Sequence, residues 1–171
     1  MFKEINIEDL KIDGVQDISK KWTLITAKKD DQSVNTLTAS WGAVGFLWNK
    51  PIYLAFIRPE RFTHEFVENS KYYSVCFFNE IYRDELKYLG THSGRDENKV
   101  EKVGFHLSND QVAPYFSEAN LVIICKKLYS DDFKPQNFAD DSIMTNFYEP
   151  RKAQLHTCYY GEIIKVLKKE E

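Results

Sequence analysis

Glycine, proline, cysteine and net charge are all scarce in this chain. Seven Gly and five Pro in 171 residues exclude collagen-like and low-complexity architectures. The cysteines are three, Cys76, Cys125 and Cys158. Each sits in an apolar or aromatic run, and no pair has Cys-x-x-Cys or zinc-motif spacing. They read as reduced, buried thiols of a cytoplasmic protein. Lys and Arg number 23 against 26 Asp and Glu, a net charge of −3. That excludes a strongly basic nucleic-acid binder but leaves room for a local anion site. The N-terminal MFKEINIEDLKIDG has no apolar h-region, so no signal peptide is visible. One stretch, Gln32–Asn49, lacks charge altogether. Its Ser33, Asn35, Thr36, Thr38, Ser40 and Asn49 argue against a membrane span.

Several catalytic signatures are missing too. There is no Walker A loop and no G-x-G-x-x-G, so no dedicated dinucleotide fold is indicated. No G-x-S-x-G elbow or Ser/His/Asp order is present, which leaves hydrolase chemistry unsupported. His64, His92 and His106 lack zincin spacing. His156 and Cys158 share a strand face but find no third ligand, so no metal site is expected.

What the chain has in quantity is aromatic side chains: 12 Phe, 10 Tyr and 3 Trp. Each buries a large area, enough for one sizeable core. The length fits one domain over residues 1–171. Strand signals dominate. Lys21–Ala27 and Val34–Trp41 flank a polar turn, and Pro51–Ile57, Tyr72–Phe78, Leu121–Leu128 and His156–Leu167 follow. Helices are few and short: Thr63–Asn69 with Thr63 as N-cap, Ile81–Leu89 stopped by Gly90, and Asp96–Val103. This pattern favours a mainly β, closed or partly closed antiparallel barrel. The strand-poor Gly90–Asn120 is expected to cover or line something.

Three segments can carry chemistry. In Asn35–Trp41, strand alternation sets Thr36, Thr38 and Ser40 on one face, and Asn35, Leu37, Ala39 and Trp41 on the other. A hydroxyl row ending in Trp41-Gly42 suits a flat, polar ligand, though it also describes an ordinary solvent-facing strand. Arg58-Pro59-Glu60-Arg61-Phe62-Thr63 lies where a strand gives way to a helix. Its arginines, the Thr63 hydroxyl and free helix N–H groups can bind phosphate; equally they can be surface arginines and a structural cap. Gly90-Thr91-His92-Ser93-Gly94-Arg95, with Lys99 beyond it, is a glycine- and hydroxyl-bearing loop able to fold around an anion.

Together these segments resemble the flavin reductase-like family, the flavoredoxin type of FMN-binding split barrel. The resemblance rests on Asn35-Thr36-Leu37-Thr38-Ala39-Ser40-Trp41-Gly42, on Lys50-Pro51 before the strand that ends at Arg58–Thr63, and on Gly90–Arg95 with Lys99. His156 and Tyr160-Gly161-Glu162-Ile163 complete it, in order along nearly the whole chain. It implies a six-stranded antiparallel split barrel of Greek-key type with a few short helices, a homodimer, and FMN near the subunit interface. Asn35 and the Thr38-Ala39-Ser40-Trp41 segment would then meet the isoalloxazine and ribityl parts, with Thr36 a further cofactor-binding residue. Arg58, Arg61, Thr63, Ser93 and Lys99 would serve the phosphate end, Phe62 and Gly94 would be further cofactor-binding residues, and His156 would lie close to the flavin. No protein nucleophile is needed, because flavin carries the hydride and electron chemistry. The implied activity is an NADH- or NADPH-dependent flavin reductase acting by hydride transfer to N5. The alternatives are an electron-transfer flavoprotein reduced by a partner protein, and a non-enzymatic flavin- or haem-binding module.

Overall fold

The computed structural model describes residues 1–108 and 110–170. In chain order its regular elements are β1 (Phe2–Ile5), β2 (Thr23–Lys28), β3 (Val34–Ala39), β4 (Gly42–Leu47) and β5 (Lys50–Ile57). Then come α1 (Phe62–Glu68), β6 (Tyr72–Phe77), α2 (Arg83–Thr91), α3 (Lys99–Lys102), β7 (Leu121–Asp132), α4 (Asp141–Phe147) and β8 (Thr157–Lys169). The strands are all antiparallel, in the order β3-β2-β6-β7-β8-β5-β4, and β1 also pairs with β8. The 13-residue β8 makes this possible. One of its edges carries β7; the other carries β5 along Thr157–Glu162 and β1 along Val166–Lys169.

The two ends of that order, β3 and β4, are consecutive in the chain and separated only by Ser40 and Trp41. A flat sheet cannot bring its first and last strands within two residues of each other. The sheet must curl, which gives the split barrel its shape. The barrel is therefore antiparallel and mainly β as expected, but with eight strands instead of six. The two additional ones are β1 and β4. β1 is four residues long, two of them charged. β4 holds two glycines, and its turn into β5 is Trp48-Asn49, with φ of 53° and 57°. That is the two-residue hairpin geometry that usually signals itself with Asn-Gly, here without a glycine.

Side chains are buried on both faces of the central strands, so β7 opens with the unbroken apolar run Leu121–Cys125. Inside the barrel lie Ile25, Leu37, Tyr53, Tyr73, Val75, Ile123 and Tyr159. On the outer face Leu24, Cys76, Val122 and Ile124 pack under Leu86 and Leu89 of α2 and under Phe105 and Phe116. The strand-poor Gly90–Asn120 thus does cover something. Its Phe105 stacks on Phe78 with ring centroids 5.5 Å apart. All three cysteines are buried free thiols, and burial pushes Cys76 up to about 12. Among the described residues no helix is long and apolar enough to cross a membrane.

Helix boundaries depart from expectation in two instructive places. α1 begins at Phe62, with Arg61 at the cap position and no side-chain cap. Thr63 is not a cap. It is buried inside the first turn and accepts a 3.0 Å hydrogen bond from Asn35 Nδ2. α2 does not stop at Gly90; it runs on to Thr91 and ends at His92. Gly90 serves packing instead, since a Cβ there would stand 3.0 Å from Thr38 Cβ. Its bare Cα lets α2 press against β3, where the Thr38 hydroxyl donates to Leu86 O.

Candidate functional site

A two-compartment cleft opens at the end of β3, between the start of α1 and the end of α2. The first compartment, about 250 Å³, is lined by Leu37-Thr38-Ala39-Ser40-Trp41, by Phe56–Arg58 and by Arg151 and His156. The second, about 220 Å³, is lined by Asn35, Phe62, Thr63, Gly90–Ser93 and Lys99. Glu60 and Arg61 line both, so the two adjoin. A larger hollow of about 470 Å³ lies elsewhere, between the N-terminal segment and the end of β8. None of the motif residues lines it, and convergent chemistry outweighs volume as a criterion for a site.

The fold brings three distant segments together here. Asn35 fixes Thr63 across 28 residues of sequence, which ties β3 to α1. Gly94 sits directly against the Asn35 side chain, so the loop after α2 closes on the same strand. Arg61 reaches α2 by donating to Gly90 O at 2.9 Å. Lys99 Nζ donates to Leu89 O at 2.7 Å and to His92 O at 3.0 Å. Carbonyls at a helix C-terminus carry partial negative charge and attract cations. That pair of contacts explains why two cations gather at one helix end.

Lys99 is only 3% exposed, and burial followed by the nearby Arg61 pulls its pKa down to about 8. Burial and then Arg58 lower that of Arg61. Neither makes an ion pair among the described residues. Arg58, which opens on the first compartment, has Glu60 at 4.0 Å and lies over the Tyr148 ring at 5.5 Å. A buried cation without an ion pair is costly, and Lys99 with the half-buried Arg61 beside one cavity suits a ligand that brings an anion.

The first compartment differs in character. Trp41, 40% exposed, sits with its ring 5.0 Å from that of His156. His156 precedes β8 instead of opening it. It is buried, and burial together with Arg58 lowers its pKa to about 4. The imidazole is therefore neutral at pH 7. Flat rings, exposed backbone and a neutral polar side chain suit a planar, uncharged group.

Twelve of the residues singled out in the sequence line these two compartments: Asn35, Thr38, Ala39, Ser40, Trp41, Arg58, Arg61, Phe62, Thr63, Ser93, Lys99 and His156. Two do not. Thr36 is fully buried away from the cleft, 2.9 Å from Thr26 Oγ1 and donating to Ile25 O. The row of hydroxyls is therefore neither a ligand face nor a solvent face at that position. Gly94 lines a neighbouring hollow with Arg95 to Asn98. The sequence reading missed Phe56, Glu60, Arg151 and Tyr148. Tyr148 caps the end of α4 and Arg151 closes the short 3-10 turn after it, in the connection between β7 and β8, where no motif marks a contact made only by tertiary folding.

Residues 15–171 match the model of the flavin reductase-like domain, and the chain belongs to that family. No curated protein sequence matches it. Solved structures do. The flavoredoxin of Desulfovibrio vulgaris (Miyazaki F) is 19% identical, with 87% of this chain and 69% of that one covered at a TM-score of 0.66. The flavoredoxin from Methanosarcina acetivorans is 20% identical, with 95% and 76% covered at 0.68. An NADH:FAD oxidoreductase of Streptomyces globisporus is 14% identical, with 87% and 74% covered at 0.64. At such identities the likeness shows a shared fold.

Proposed function

We propose that this protein is an FMN-binding oxidoreductase, an NADH- or NADPH-dependent flavin reductase, built from one domain and working as a homodimer. One observation carries the reading: a ring-lined compartment adjoins a second compartment holding two cations, the buried Lys99 and the half-buried Arg61, that make no ion pair among the described residues. FMN has the same two ends, a flat tricycle and a phosphate. When bound, it supplies the redox chemistry by taking a hydride at N5 and passing the electrons on.

The chain's own residues have the binding and orienting tasks. Arg61 and Lys99 take the phosphate, with the Thr63 and Ser93 hydroxyls beside them. Thr38 to Trp41 present backbone groups and the indole to the ring. Arg58 adds positive charge beside the ring-lined compartment, which favours a reduced, anionic ring. The absence of a dinucleotide motif leaves the nicotinamide donor to stack on the open ring face. The Streptomyces neighbour, an NADH:FAD oxidoreductase solved in complex with NAD and FAD fragments, supports such a donor.

Two measurements test this. Calorimetric titration is expected to show FMN binding about one to two decades tighter than riboflavin, the difference that charge-assisted phosphate contacts make. Equal affinities would remove the phosphate end of the argument. Anaerobic stopped-flow mixing of the flavin-loaded protein with NADH or NADPH is expected to bleach the flavin, with recovery on adding oxygen. If dithionite reduces the flavin and neither nucleotide does so within minutes, the reductase assignment fails. An electron carrier served by a partner protein then replaces it.

A further inference from the structure

Over the ring-lined compartment, two side chains satisfy each other in a way that decides what the cleft is given. Tyr148 Oη lies 2.8 Å from His156 Nδ1. Both residues are buried, at 3% and 6% exposure. Their backbones are tied down as well: Phe133 N–H donates to His156 O, and Ala153 N–H donates to Tyr148 O. Phe138 at 6.1 Å and the Arg58 guanidinium at 5.5 Å flank the Tyr148 ring.

Counting hydrogens settles the direction of the bond. A phenol has one donor, and a neutral imidazole has one donor and one acceptor. Tyr148 Oη has no other hydrogen-bond partner among the described residues. Were Nδ1 protonated, the phenol hydrogen would be buried with no acceptor, which is the expensive case. The phenol therefore donates to a bare Nδ1, and the ring proton resides on Nε2. Three described side-chain atoms are both enclosed and unpartnered, namely Tyr53 Oη, Glu85 Oε2 and Asn120 Oδ1. His156 Nε2 is not among them, so it is not enclosed, and the residue lines the ring-lined compartment. The neighbouring Arg58 opposes any second proton on the ring.

We propose that Tyr148 is a positioning residue that holds His156 as its Nε2–H tautomer, making it a neutral hydrogen-bond donor to a carbonyl oxygen or ring nitrogen of the molecule in the ring-lined compartment. This deepens the flavin reading and rests on it for the acceptor, since a flavin tricycle carries such atoms. The opposite tautomer would give the cleft an acceptor and would suit a different class of ligand.

Long-range ¹H–¹⁵N correlation of the ligand-free protein reads the tautomer directly, with His156 assigned by its loss in His156→Phe. The expected wild-type result is a proton on Nε2 and none on Nδ1. In Tyr148→Phe a population protonated at Nδ1 is expected, with thermal stability near that of wild type. FMN dissociation constants are expected to rise about two- to tenfold in Tyr148→Phe and His156→Phe, the effect of one neutral hydrogen bond. An Nδ1–H wild-type ring, or the same tautomer in Tyr148→Phe, overturns the positioning role. Unchanged FMN affinity in both variants overturns the donor role. Should the Nε2–H ring be found in a protein that binds no flavin, the positioning stands and the flavin reading falls.

Discussion

Arg61→Ala and Lys99→Ala are each expected to weaken FMN binding by about tenfold to a hundredfold, the range for losing a charge-assisted contact to phosphate. A pair of exposed surface charges would lose within roughly 0.5 kcal/mol. Burial separates the two cases: Lys99 is 3% exposed, and its other contacts are carbonyl oxygens of the α2 end. Both substitutions release those carbonyls, but Lys99→Ala also empties the space of the buried stem, so Lys99→Met, which keeps the stem, is the cleaner control. The pH dependence adds a second signature. Lys99 must be protonated to meet a phosphate, and its pKa is held down to about 8. FMN affinity is therefore expected to fall as pH rises through about 8. Stability of the ligand-free protein should move the other way. Between about 8 and the ordinary lysine value of 10.5, the unfolded chain binds a proton that the folded one has lost. Stability consequently rises with pH over that window. Titrations at pH 7 and 9, paired with denaturant melts, check both signs. Lys99→Met should abolish both trends, and an affinity independent of pH in the wild type would move the phosphate away from Lys99.

How far these features were legible in the sequence depended on whether the signal was local. The central strands were readable because aromatic and β-branched residues crowd them. The hairpin turn Trp48-Asn49 was not, because its left-handed geometry is held by tertiary packing in place of a glycine. Arg61 and Lys99 stood out as charges in suggestive loops, yet nothing in their spacing shows that one helix end would collect both. Thr36 and Thr38 illustrate the limit of alternation. Both share one face as expected, opposite Leu37 and Ala39 of the barrel interior, but α2 lies over that face and uses Thr38, while Thr26 takes Thr36. Face could be read from period two; what covers the face could not. Tyr148 and Arg151, at and just after the end of α4, were beyond reach for the same reason.

Phe46→Glu combined with Trp48→Asn is expected to turn a dimer into a monomer. β4 is the last strand in the sheet order, so one of its edges has no partner strand among the described residues. Its side chains are apolar nonetheless: Val44 is 40% exposed and Phe46 is 71% exposed. A long apolar edge left open is an aggregation hazard, which proteins normally blunt with charge or cover. Trp48, at the tip of the same hairpin, is 54% exposed and packs on Tyr129 and Tyr160 with ring centroids 6.1 and 6.0 Å away. A bulky residue at positive φ is strained. Asn tolerates that geometry better, so Trp48→Asn should leave the hairpin turn intact or improve it. The substitution thus separates loss of association from loss of folding. Interface aromatics are the usual hot spots, each costing about 2 kcal/mol or more on truncation, so the pair should raise the dimer dissociation constant roughly a thousandfold. Because β4 leads directly from Trp41, which lines the cleft, the monomer should also bind FMN less tightly. Light scattering at micromolar concentration, with and without FMN, is the measurement. A wild-type protein that is monomeric with flavin bound would refute the dimer, and a double variant that remains dimeric would exclude this hairpin as its interface.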